Sequence, residues 1–182
     1  MVISPEDQRR LIELARRALE AKVHRAGVFE VDAPQVADVR CGAFVTISHH
    51  GELRGCLGRL DSPLPIANLV AELAEAVADS DPRFTPVVPQ ELVGIEVEIS
   101  VLTPEREIES IEEIEVGRHG LIVEQGHSRG LLLPQVPEEH GWDRHAFLQH
   151  ACLKAGLAAD AWRRGARIFV FEAQVFGEHS RG

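Results

Sequence analysis

Residues 43–58 read AFVTISHHGELRGCLG, and the way this stretch pairs with itself decides the fold around it. AFVTIS is rich in β-branched and aromatic residues. ELRGCL mirrors it after His49-His50-Gly51, which is the pattern of a β-hairpin. A three-residue loop sets Ser48 opposite Glu52, Thr46 opposite Arg54 and Phe44 opposite Cys56. It also sets Ile47 opposite Leu53, Val45 opposite Gly55 and Ala43 opposite Leu57, which gathers nearly all the aliphatics on one face. A two-residue His50-Gly51 loop slips the pairing by one and sets apolar residues against polar ones, so the pattern selects the longer loop. Gly51 then occupies the left-handed position of the turn.

That register predicts a polar face carrying Cys56 with Arg54 beside it and Gly58 beyond, which leaves the thiol uncovered. A guanidinium next to a thiol favours the thiolate, and open access lets a thiolate react. The alternative is structural. A free cysteine often serves as a small apolar filler, and a strand glycine often marks a bulge or a close backbone approach.

The chain has 182 residues, enough for one domain with a real core, and 45% of them are hydrophobic. Its apolar runs are far shorter than the roughly 18 residues of a membrane span. MVISPEDQRR has no leader pattern, so the expected location is the cytoplasm. The formal net charge is −10, and Lys22 and Lys154 are the only lysines, which disfavours a nucleic-acid role. The three cysteines, at 41, 56 and 152, contain no C-x-x-C pair. Cys41, extended along its strand, faces away from Cys56, which argues against a bridge between them. Of the nine histidines, His140, His145 and His150 are spaced by five, off a common helical face. No metal site is assigned.

Ser4-Pro5-Glu6-Asp7 opens a helix that carries Leu11, Leu14, Ala15, Ala18 and Leu19 on one side and ends by Gly27. A second helix starts near Pro63 and stops before Asp81-Pro82. The proline-punctuated DPRFTPVVPQEL that follows reads as a fixed loop. GIEVEISVL (94–102) alternates as a strand with one wet face. Residues 105–115 fit more than one state. GLIVEQGHSRGLLLP reads as two strands around the turn at 125–128. A helix over about 142–155 turns Phe147, Leu148, Ala151 and Cys152 inward, and RIFVFEAQVF (167–176) is a last strand. Short turns between strand pairs favour an α+β fold with antiparallel or mixed sheets.

Leu53-Arg54-Gly55-Cys56-Leu57-Gly58 resembles the L-R-G-C-I-G signature of the AMMECR-domain family, called AmmeMemoRadiSam system protein A in prokaryotes. Asp81-Pro82-Arg83-Phe84 is similar to its D-P-R-F or S-R-F element, and Ile99 to Pro104 to its strand ending in a threonine or serine and proline. Gly117-Arg118-His119-Gly120 is similar to its G-x-H-G or G-x-D-G element, Leu132-Leu133-Pro134-Gln135-Val136 to its L-P-Q-V, and Lys154-Ala155-Gly156-Leu157 to its K-A-G-L. The order agrees throughout. The resemblance implies one domain over residues 1–182 built of two lobes, with sheets flanked by helices, an inter-lobe cleft, and the signature at that cleft. It implies the company of a Memo-type protein and a radical S-adenosylmethionine enzyme, but no reaction and no cofactor.

Two functions fit these residues. The first is a cytosolic enzyme in which Cys56 reacts as a thiolate favoured by Arg54 and aided by His119. The second is a non-catalytic module that binds a small molecule or a partner. In either case Thr46, Gly55, Gly58, Arg83 and Gln135 are the expected lining. Each has a plainer reading: Arg83 bridging its own loop, His119 bonded to turn backbone, Gln135 bonded to a neighbouring strand.

Overall fold

The computed structural model describes residues 3–33, 36 and 38–178; Met1 and Val2 of the stretch read for a leader lie outside it. The chain divides into two compact units, Met1–Leu102 with Gln174–Gly182, and Thr103–Ala173.

In the first unit, helix α1 spans Pro5–Val23. The Ser4 hydroxyl accepts from the Asp7 amide, and Glu6 and Asp7 occupy the positive end. Strands β1 (Ala43–His49), β2 (Glu52–Arg59) and β3 (Ile95–Leu102) form antiparallel pairs with β1 in the middle. Helix α2 covers Ile66–Val77, and a 3₁₀ turn covers Pro89–Gly94 within the proline-rich loop. Ala43, Val45 and Ile47 of β1 and Ile95, Val97, Ile99 and Val101 of β3 are buried with the apolar sides of both helices. Each fully buried Leu or Ile contributes about 1.5–3 kcal/mol. Thr46, Ser48, Glu96 and Glu98 point the other way, as alternation requires.

In the second unit, β4 (Arg106–Glu107) pairs with the beginning of β7 (Arg167–Gly177). The same strand pairs with β5 (His119–Gln125), which pairs in turn with β6 (Ser128–Leu132), all antiparallel. The ambiguous stretch therefore resolves into β4 and a 3₁₀ turn at Ile111–Glu113. Helix α3 (Gln135–His140), absent from the sequence reading, precedes α4 (Arg144–Lys154), which Asp143 caps through the Ala146 amide. Phe147, Leu148, Ala151 and Cys152 are fully buried against Leu121, Val123 and Val170. Glu107, Arg167, Glu124 and Arg129 form a chain of alternating ion pairs across β4, β7, β5 and β6.

The α+β architecture and the antiparallel pairing agree with the sequence reading. The hairpin register does not. His49 pairs with Glu52 across a two-residue His50-Gly51 turn, both residues at positive φ. The ladder then shifts between Ser48–Leu53 and Ile47–Gly55, leaving Arg54 as an extra residue. Beyond this β-bulge, Thr46 faces Cys56 and Phe44 faces Gly58. The rejected short turn is correct, and the bulge restores the separation of apolar and polar faces that the unbroken ladder had lost.

Candidate functional site

Cys56 lies mid-strand in β2, partly exposed, whereas Cys41 and Cys152 are buried. Thr46 Oγ1, directly across the ladder, lies 3.2 Å from Cys56 Sγ and donates to it. The outward backbone N–H of Cys56 donates to Asp81 Oδ2 at 2.9 Å. Asp81 is 4% exposed. It accepts from four donors in all: this amide, the Arg83 amide at 3.1 Å, Arg83 Nε at 3.0 Å and Arg83 Nη2 at 2.7 Å. These bonds hold its carboxyl far below the usual carboxylate range, with the Arg83 guanidinium the main cause and the Cys56 amide second.

Arg54 does not serve the thiol. Its Nε and Nη2 bond Glu91 at 2.7 and 3.1 Å, and Nη2 reaches the Pro86 carbonyl at 3.4 Å. Glu91 is pulled below its ordinary range by this pairing first of all. Because Arg54 is the bulged residue, its side chain meets the proline-rich loop instead of extending a regular row beside Cys56. The cation linked to Cys56 is Arg83: one Asp81 oxygen joins the Cys56 amide to Arg83 Nη2. The Phe84 ring centroid lies 5.9 Å from the guanidinium of Arg54 and 5.4 Å from that of Arg83.

The glycines of the signature are packed. A Cβ on Gly58 would overlap the Phe44 ring and sit 2.6 Å from the Ala43 carbonyl oxygen, so the space expected to be empty holds an aromatic side chain. A Cβ on Gly55 would lie 2.9 Å from Val77 Cγ2, which is the close approach of α2. Cys56 is therefore flanked on its own face by Thr46 and Phe44. Thr46 also lines an open trough of about 420 Å³ with Ser48, Leu53, Glu96, Glu98 and Glu178.

His119 and Gln135 belong to the second unit. His119 is buried, its Nδ1 accepts from the Glu115 amide at 3.1 Å, and its Nε2 lies 3.8 Å from Glu172. Gln135 is exposed at the first position of α3, not in a strand. Asp81 and Glu91 were missed as partners. Asp81 opens the D-P-R-F element, and from sequence alone it reads only as a helix stop.

The AMMECR1 family model matches residues 12–176. This chain belongs to the AMMECR1 family. A protein of Thermofilum pendens is 44% identical, covering 97% of this chain and 92% of its own. One from Methanopyrus kandleri is 45% identical, covering 92% and 86%. The crystal structure of an uncharacterized protein from Pyrococcus horikoshii is 38% identical and superposes with a TM-score of 0.82 over 97% of this chain and 94% of that one. Among the described residues of this AMMECR1 chain, no helix is long and apolar enough to cross a membrane.

Proposed function

We propose that this AMMECR1 chain is a cysteine-dependent enzyme whose reacting atom is Cys56 Sγ, with Thr46 as its hydroxyl partner and Arg83 as its cation. The observation that carries the reading is the Thr46–Cys56 contact on a partly exposed strand. A hydroxyl donor and a nearby guanidinium are the groups that steady charge on a sulfur about to attack an electrophile. Arg54 becomes a positioning residue that holds the proline-rich loop. His119, engaged with Glu115 and Glu172, has no assigned step. The association with a Memo-type protein and a radical S-adenosylmethionine enzyme belongs to this proposal, as the setting in which a substrate would be supplied.

The test is iodoacetamide alkylation, read at each cysteine by mass spectrometry across pH 6–9. Cys56 is expected to react at least tenfold faster than Cys41 and Cys152, and faster at neutral pH than a cysteine peptide. Thr46→Val is expected to slow it several-fold. A Cys56 rate no greater than the peptide's, unchanged in Thr46→Val, overturns the reading.

The partner of the Cys56 sulfur is a threonine hydroxyl, which is no acid or base at neutral pH, and the Asp81 carboxylate is spent on the backbone amide; this favours a second reading, a non-catalytic module that binds a ligand or partner. It expects Cys56→Ser to retain function in a complementation assay. Loss of function in a folded Cys56→Ser protein supports the enzyme.

A further inference from the structure

Arg83 stands out on physical grounds. Its Nε and Nη2 are fixed by Asp81, yet the side chain is 56% exposed, and Nη1 makes no hydrogen bond to another described residue. The carboxylate that fixes it is buried and fully engaged with donors. The pair is neutral in sum, but it is a fixed dipole with its negative end inside and its positive end in solvent. Phe84 lies against the guanidinium and limits its orientations. The outward edge of a guanidinium so held is a fork for an oxyanion. Cys56 is tied to the same carboxylate oxygen. The Cys56 backbone amide and Arg83 thus meet on one carboxylate, which holds an immobilised cation beside a partly exposed cysteine.

We infer that the Cys56 site takes a small oxyanion-bearing molecule, a carboxylate or a phosphate, whose charge rests on the outer edge of Arg83 while its electrophilic carbon faces the Cys56 sulfur. This rests on the reading of Cys56 as the reacting group, and it names the substrate class that reading leaves open. Arg83 is thereby a binding residue, and Asp81 is the positioning residue that aims it.

Iodoacetate and iodoacetamide are nearly equal in size and differ in charge. With either, the sulfur displaces iodide: one C–S bond forms, the C–I bond breaks, and the thiol proton passes to buffer. The ratio of the two rates at Cys56, divided by the same ratio for a cysteine peptide, isolates anion recruitment from general reactivity and access. The expected normalised ratio is about two- to threefold, the pull of the outward guanidinium being reduced by the Asp81 carboxylate behind it. Arg83→Gln is expected to return it to about one, Arg83→Lys to keep part of it, and Arg54→Gln to leave it unchanged. Inorganic phosphate protecting Cys56 better than acetate at equal ionic strength assigns the phosphate form, and the reverse assigns the carboxylate. A normalised ratio near one in the unaltered protein overturns the inference. So does a raised ratio that survives Arg83→Gln. Neither result touches the iodoacetamide rate on which the Cys56 reading is judged.

Discussion

Asp81 connects three parts of the first unit through one carboxylate: the edge strand β2, its own loop and the Arg83 side chain. Its folded-state ionisation lies below the unfolded value near 3.9, so its contribution is present above that value and is lost as pH falls. Asp81→Asn is expected to lower stability at pH 7 by about 1–3 kcal/mol, since donors built for a carboxylate lose charge and an acceptor. The difference from the unaltered protein should shrink as pH drops below about 4. Urea unfolding at pH 7 and at pH 3 measures both, and an equal difference at the two pH values counts against this account. Gly58 gives a second prediction. Gly58→Val forces apart the Phe44 ring and crowds the Ala43 carbonyl, at a cost of about 1–3 kcal/mol. Adding Phe44→Ala should recover part of that loss and not all of it, because the backbone contact remains. The packing reason of Gly58 is not legible in sequence, because the unbroken register sets Phe44 opposite Cys56, two residues from its true partner.

The loop over residues 81–94 guards the outer edge of β2. Asp81 takes the Cys56 amide, and Pro86 and Glu91 take Arg54. An edge strand left bare invites pairing with other chains. Glu91→Ala removes the central fastening, so the amides of residues 54–58 should exchange hydrogen about tenfold faster while those of β3 stay near their original rates. Equal protection in both strands would show that the loop is held without Arg54. The two helices with strong apolar periodicity, and the strands with clean alternation, were readable because side-chain period follows directly from backbone geometry. The bulge was not readable. It depends on Arg54 finding Glu91, 37 residues away, and no local pattern encodes that meeting. Helix α3 was missed for a related reason: six residues with Pro137 inside make too short a pattern.

For the whole molecule, the two units have separate apolar cores, a division the sequence reading left without boundaries. The first unit draws on both ends of the chain. Arg16 of α1 bonds both oxygens of Glu178 and the carbonyls of Leu92 and Ile95, and Glu178 also takes the Val97 amide. Burial opposes the Arg16 charge, but its bond to Glu178 outweighs it and raises the guanidinium above its ordinary range. Glu178→Ala leaves a partly buried cation with carbonyls only, and the expected loss is about 1–3 kcal/mol. Far-UV circular dichroism is the suitable probe, because Trp142 and Trp162, the two tryptophans, both lie in the second unit.

Strand β7 starts as part of the second unit, and its last residues, from Gln174, run beside β3 in the first. On a ribosome, which releases the chain from its N-terminus, the first hundred residues emerge long before the strand that completes their sheet. Until then the free edge of β3 waits for its neighbour and the Arg16 side chain waits for Glu178. The unit begun first is therefore finished last, and an mRNA truncated just before the codon for Gln174 would yield a first unit that still carries Cys56, Thr46 and Arg83 but lacks its closing strand.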